Sequence, residues 1–480
     1  MLFHSFAFLI FFPVAVAAYF LMPHRFRWAF LLAASYYFYM AWEPKYALLL
    51  MVSTVVDYAA ALLIGRAQSK KKRRAYLGLS LASNLGLLFF FKYANFFIDT
   101  VEGVFSRFVP AFDAPSLSIL LPVGISFYTF QTLSYTIDVY RGVRPPEKHF
   151  GIFALYVSFF PQLVAGPIER STTLLPQFFR KVSFDYARVT DGLKLMLWGF
   201  FKKLVIADRA AILVDQVYAA PEQFSGGMLL LSTYLFAFQI YCDFSGYSDI
   251  AIGAAKVMGY DLMDNFKRPY FSKSIAEFWR RWHISLMSWF KDYLYIPLGG
   301  SRVSLPRWVL NMSIVFFVSG LWHGANWTFV AWGLLHAGYI LFGKATASIR
   351  SAMHARFGLS ARLTLQKYIR VFITFHLVLV SWIFFRAQSI GDGWHIVTHL
   401  FSGWAIDFSG VLRFSHFDLL MLGLSIGFME AVHLLERHKN MRHFLSQKPL
   451  ALRWSVYSAL LWWILLYGSF TEQAFIYFQF

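Results

Sequence analysis

The sequence repeats one feature along its whole length: apolar stretches long enough, or nearly so, to cross a hydrocarbon layer of about 30 Å. They are Leu2 to Met22, Trp28 to Trp42, Tyr46 to Gly65, Tyr76 to Ile98, Leu117 to Tyr140, Gly192 to Val217, Met228 to Ile250, Val309 to Phe342, Val371 to Phe385, Phe417 to Leu435 and Trp454 to Phe470. Val309 to Phe342 has length for two passes, so about ten to twelve crossings are expected. Within lipid a backbone must satisfy its own hydrogen bonds, and such runs imply an all-α, polytopic membrane fold in one domain over residues 1–480. Phe150 to Pro167 differs: it is short, ends in Pro161, Gly166 and Pro167, and has basic chain on both sides, the pattern of a re-entrant hairpin buried in protein. Leu2 to Met22 has no charge before it and reads as a retained helix, not a cleaved leader.

Composition agrees. Of 480 residues, 58% are hydrophobic and only 14% charged, too few charges to cover a water-exposed fold of this size. The formal charge of +19 would raise the question of nucleic acid in a soluble protein. Here the excess Lys and Arg mark cytoplasmic loops and meet anionic headgroups, so the expected partner is membrane lipid and not nucleic acid. The densest basic run, Arg66 and Lys70 to Arg74, belongs inside by the positive-inside rule. Counting helices from it places both termini outside. Asp99 to Asp113 and Asp392 to Asp418, acidic and poor in Lys and Arg, then also face outward. The single Cys242 has no partner for a disulfide, and no phosphate loop, dinucleotide fingerprint or Cys-x-x-Cys pattern is present.

Four stretches carry candidate chemistry. Ser319 to Phe329 sets His323 inside an apolar run, between Trp322 and Gly324, with Gly320 one turn before and Asn326 nearby. An ionisable group at membrane depth is a functional hypothesis by default, and the two glycines leave room beside the ring for another backbone or a narrow substrate. The plainer alternative is a core histidine bonded to a neighbouring helix. Asn265 to Tyr270, Glu277 to Leu286 and Trp289 to Gly300 alternate aromatics and cations at helical spacing, and Pro297 with the glycines stops the helix. Arg280 and Arg281 suit the phosphates of a carrier thioester, with His283 nearer the membrane interior. An interfacial amphipathic helix with snorkelling cations explains the same pattern. In Gln239 to Asp249, Asp243 and Asp249 lie near a helix end with no adjacent cation, so a partner from another segment is implied. The turn around Gln162 either lines the same cavity or closes a hairpin.

Taken together and in this order, Gln162 to Pro167, Tyr241 to Asp249, Glu277 to Gly300 and Gly320 to Phe329 resemble the membrane-bound O-acyltransferase family, in particular the bacterial branch that includes the alginate O-acetylation subunit. The resemblance implies a multi-helix disc with a central funnel, His323 as the catalytic histidine at a thin wall, and His283 as the second family position. It implies transfer of acetyl from a cytoplasmic thioester, acetyl-CoA or another acyl thioester, with no permanently bound cofactor or metal. It also implies delivery to an exported alginate- or cellulose-like polysaccharide through a periplasmic acetyltransferase partner and the export machinery, in the bacterial inner membrane. The chemistry fits, since a neutral hydroxyl attacking a thioester needs a base and a histidine supplies one. Asn326 or a backbone donor is a candidate for the oxyanion. The aromatic C-terminus, Glu472 to Phe480, reads as a lipid anchor; it also resembles the terminal segment of the small partner in bacterial D-alanylation, which makes Tyr477 a candidate acyl carrier. Rival readings are a D-alanyl or peptidoglycan relative, a proton-coupled transporter or flippase, and a purely structural subunit. All the enzyme readings require His323 to be reachable from both faces.

Overall fold

The computed structural model describes residues 1–106, 108–109, 117, 120–356, 363–470 and 475–476; among them there are helices and no strand. Among the described residues, seven helices are by themselves long and apolar enough to cross a membrane: Tyr46–Arg66, Lys70–Phe105, Gly226–Val257, Leu305–His323, Thr364–Arg386, His416–Leu435 and Leu450–Tyr467. The other expected spans are helical too, but shorter or more polar, as in Phe6–Leu21, His24–Met40, Ile125–Arg141 and the chain from Tyr186 to Ala219. Outer faces are apolar: on Leu450–Tyr467 the large residues Leu461, Trp462, Leu465 and Leu466 are all exposed. In contrast, the apolar window of Gly226–Val257 is 78% buried, which makes it an interior helix and explains how it tolerates two carboxylates. Their position is therefore mid-helix, not the helix end expected from the sequence.

The chain divides into two compact units, Met1–Met196 with Ile250–Met263, and Leu197–Asp249 with Asp264–Phe480. In the first, Asp57 in the middle of Tyr46–Arg66 is fully buried. Its carboxyl accepts from Ser80, from Asn84 at 3.0 Å and from Thr136 at 3.3 Å, so one acid ties together three helices. Phe150–Ser158 and Phe160–Leu163 are short and almost wholly buried, in keeping with the buried hairpin expected there.

In the second unit the Val309 to Phe342 run resolves into two helices, Leu305–His323 and Trp327–Ala345. The break has a local cause. Gly324 is extended (φ −160°), and Asn326 is the N-cap of the next helix, its side chain accepting from the Thr328 N–H at 3.0 Å. Small residues then let the two helices touch: a Cβ on Gly320 would meet the Phe329 carbonyl at 2.3 Å, and one on Gly333 the Phe316 carbonyl at 2.2 Å. The space beside His323 that the glycines were expected to leave is thus filled by the following helix. Gly320→Ala is expected to cost about 1–3 kcal/mol through forced backbone movement, read as a lowered unfolding midpoint in detergent; an unchanged midpoint would contradict this close approach.

Candidate functional site

His323 is the last residue of its helix and His283 lies in the segment between Ile275–Trp279 and Ile284–Phe290, forty positions earlier in the sequence; the second unit brings their ring centroids to 6.4 Å. Trp322 stands against both, 5.1 Å from His323 and 5.6 Å from His283. Aromatic rings complete the surround: Trp332 (4.8 Å) and Phe385 (5.3 Å) about His323, and Phe244 (4.6 Å) about His283. The two imidazoles are therefore close neighbours within one aromatic surround, with Trp322 against both. Both rings are buried, His283 at 0% and His323 at 2% exposure. In this conformation, then, the side chains do not meet the expectation of access from both faces. Reactants reach them only where the surrounding packing opens.

His283 is held in an unusual way. The helical spacing through Glu277 to Gly300 is interrupted at Arg280–His283, where His283 adopts φ 45°, ψ 54° in the left-handed region. A non-glycine residue there carries strain and persists only where its surroundings fix it. Asn265 does this, 1% exposed: its carbonyl accepts from the Ser285 N–H (3.3 Å) and the Ser285 hydroxyl (2.9 Å), its amide donates to Ser248 Oγ (3.3 Å), and its backbone carbonyl accepts from Ile284 N–H (3.0 Å). Periodicity hides this clasp, because the hydrophobic pattern continues unbroken across the turn.

Burial pushes the His283 imidazole well below its ordinary pKa near 6.5, so the ring is neutral in the folded protein. Below that pH the unfolded chain takes up a proton that the folded one refuses, so the contribution to stability is complete above about 6.5 and is lost as pH falls, by about 1.4 kcal/mol per unit at most. The unfolding midpoint is expected to drop less steeply from pH 7.5 to 5.5 in His283→Asn than in the parent protein. Identical slopes would contradict a neutral His283.

The other expected residues fall into place unequally. Arg281 is paired with Glu277 (2.6 Å), whereas Arg280 is exposed and makes no ion pair among the described residues. Asn326, expected beside the ring or at the oxyanion, instead caps Trp327–Ala345 and donates to the Gln388 carbonyl at 3.1 Å. Gln162 belongs to the first unit, where its side-chain amide donates to the Tyr156 carbonyl at 2.8 Å while its backbone carbonyl accepts from Gly166 N–H. A Cβ on Gly166 would meet Gln162 Cα at 2.4 Å, so these residues close the turn. Tyr477 lies outside the described residues.

The cation that Asp243 and Asp249 required comes from a pair of lysines unremarked within the apolar run Gly192 to Val217. The helix widens to π geometry over Phe201–Ala207, and Lys202 and Lys203 extend from it. Lys203 Nζ lies 2.7 Å from Asp243 and 2.8 Å from Asp208; Lys202 Nζ lies 2.7 Å from Asp249 and 3.0 Å from Ser245 Oγ. Gly246 allows the approach, because a Cβ there would meet the Gly199 carbonyl at 2.8 Å. A third histidine, His336, is fully buried behind the pair, with Nδ1 taking the Trp279 indole N–H at 3.3 Å and Nε2 on the Ser381 hydroxyl at 2.9 Å. Charged and imidazole groups inside apolar runs are the signal that finds these residues.

A sequence model described as MBOAT, membrane-bound O-acyltransferase family, matches residues 147–385, a range that holds both histidines, the lysine pair and the Asn265 clasp. The chain is 37% identical over 450 residues to Probable alginate O-acetylase AlgI of Pseudomonas aeruginosa, covering 93% of this chain and 83% of that one. It is 36% identical over 411 residues to the peptidoglycan O-acetyltransferase of Helicobacter pylori (79% and 76% covered), and 27% identical over 307 residues to a teichoic acid D-alanyltransferase of Streptococcus thermophilus (58% and 71%).

Proposed function

The chain belongs to the membrane-bound O-acyltransferase family, and from that premise we propose that it takes acetyl from acetyl-CoA on the cytoplasmic side of a bacterial inner membrane and passes it across for O-acetylation of an exported polysaccharide. It is a multi-pass membrane acyltransferase, which removes the transporter and the purely structural subunit as primary readings. The observation that carries the finer reading is the buried histidine pair with ring centroids 6.4 Å apart.

In the proposed reaction the acceptor hydroxyl attacks the thioester carbonyl, a C–O bond forms and the C–S bond breaks. His323 takes the hydroxyl proton and returns it to the departing thiolate. His283 is the second ring within reach of the reacting carbonyl, fixed by Asn265. Arg280, exposed and without an ion pair among the described residues, meets the phosphates of the donor. Tyr477 receives the acetyl group and presents it outside, since a phenol of pKa near 10 makes a more reactive ester than an ordinary alcohol. The basic loops lie inside and both termini outside. A periplasmic acetyltransferase partner and the export machinery complete delivery to the glycan.

Similarity to the D-alanyltransferase favours one alternative, a carrier-protein donor. A thiol-release assay on the purified chain in detergent separates the two. Acetyl-CoA is expected to release thiol as its acetyl group passes to Tyr477, about one per chain, while D-alanyl carrier protein releases none. Turnover of the carrier protein without turnover of acetyl-CoA would overturn the proposed donor.

A further inference from the structure

Asp243 divides its two carboxylate oxygens between a cation and the C-terminal tail. Oδ1 faces Lys203 Nζ at 2.7 Å, and Oδ2 accepts the backbone N–H of Ile476 at 2.8 Å, across a separation of 233 residues. Beside it on the same helix, Phe244 and Tyr247 hold the ring of Phe475, with centroids 5.6 and 4.9 Å away. Phe475 is 0% exposed and Ile476 is 1% exposed. The chain is also fastened earlier, after the Leu450–Tyr467 helix, by the Ser469 N–H on the Leu204 carbonyl of the π segment.

Terminal residues ordinarily fray unless something ties them down. Here the tie is charge-assisted and made to backbone, so it fixes the position of the chain whatever side chain Ile476 carries. Lys203 holds the carboxylate in place at 2.7 Å, and Phe244 is the ring that also stands edge-on to His283, 4.6 Å away.

We infer that the Lys203–Asp243 pair, with Phe244 and Tyr247, is a dock for the C-terminal tail of this same chain, holding Phe475–Ile476 one aromatic ring from His283. The inference deepens the proposed reading, in which Tyr477, the next residue in sequence, carries the acetyl group: the dock is what presents the acceptor segment to the histidine pair. Lys203 and Asp243 are positioning residues in this scheme.

Hydrogen exchange of the full-length chain in detergent, followed on the C-terminal peptide that contains Phe475 and Ile476, tests the dock directly. Slow exchange is expected in the parent protein, with acceleration of about tenfold or more in Asp243→Leu and in Phe475→Ala, while peptides of the Leu305–His323 helix are unchanged. Should Asp243→Leu fail to fold, Phe475→Ala decides, because it alters the tail and leaves the charge cluster intact. Fast exchange in the parent, or slow exchange retained in Phe475→Ala, overturns the dock. Tyr477→Phe separates the dock from the acceptor reading: it is expected to keep slow exchange and to lose exported acetylation. If it keeps both, the dock stands and the acceptor role of Tyr477 falls.

Discussion

Replacing His323 with alanine is expected to lower acetyl transfer from acetyl-CoA by about 10²- to 10⁴-fold, the range associated with losing a positioned general base. The ring sits within a wall of Trp322, Trp332 and Phe385, which fixes its orientation, and its centroid lies 6.4 Å from that of His283. The initial rate of thiol release, normalised to folded protein, reads the effect. Because the two histidines act on one centre, the double variant with His283→Ala is expected to be little worse than His323→Ala alone. Losses that multiply would mean two independent roles, and a loss below tenfold would remove His323 as the base.

The second large effect concerns stability. Lys203 is 1% exposed and lies between Asp208 and Asp243, both nearly fully buried. Lys203→Met leaves two carboxylates without their cation, a change expected to cost about 3–5 kcal/mol. By contrast Arg281→Ala breaks a pair whose arginine is 31% exposed, and such pairs contribute about 0–1 kcal/mol. Unfolding midpoints in detergent are expected to show the first variant failing to accumulate or melting far below the parent, and the second close to it. Equal midpoints for Lys203→Met and the parent would mean that the cluster is not what holds the π segment to the Gly226–Val257 helix.

The sequence displayed the fold class well, because bilayer-length apolar runs leave few alternatives, and the helices fall where those runs do. Within them, the break after His323 was legible in principle: Gly324 followed by Asn326 and Thr328 is a helix stop followed by an N-cap, although Asn326 invited a catalytic reading instead. The need of Asp243 and Asp249 for cations also followed from the cost of burying charge, but Lys202 and Lys203 were hidden because hydropathy averages them into an apolar segment. What no local pattern contains is the meeting of His283 with His323. It depends on a left-handed turn at His283 and on the Asn265 clasp, neither of which disturbs the hydrophobic period. Likewise the tail reads as a lipid anchor by composition, whereas Phe475 and Ile476 are buried against Phe244 and Asp243.

The most direct test is vectorial transfer in sealed proteoliposomes. With acetyl-CoA supplied only on the side of the Arg66–Arg74 loop, acetyl ester is expected to become accessible to an esterase confined to the opposite side, and to vanish in His323→Ala. Acetyl ester accessible only on the donor side, or transfer undiminished in His323→Ala, would contradict a reaction centred on the buried histidine pair.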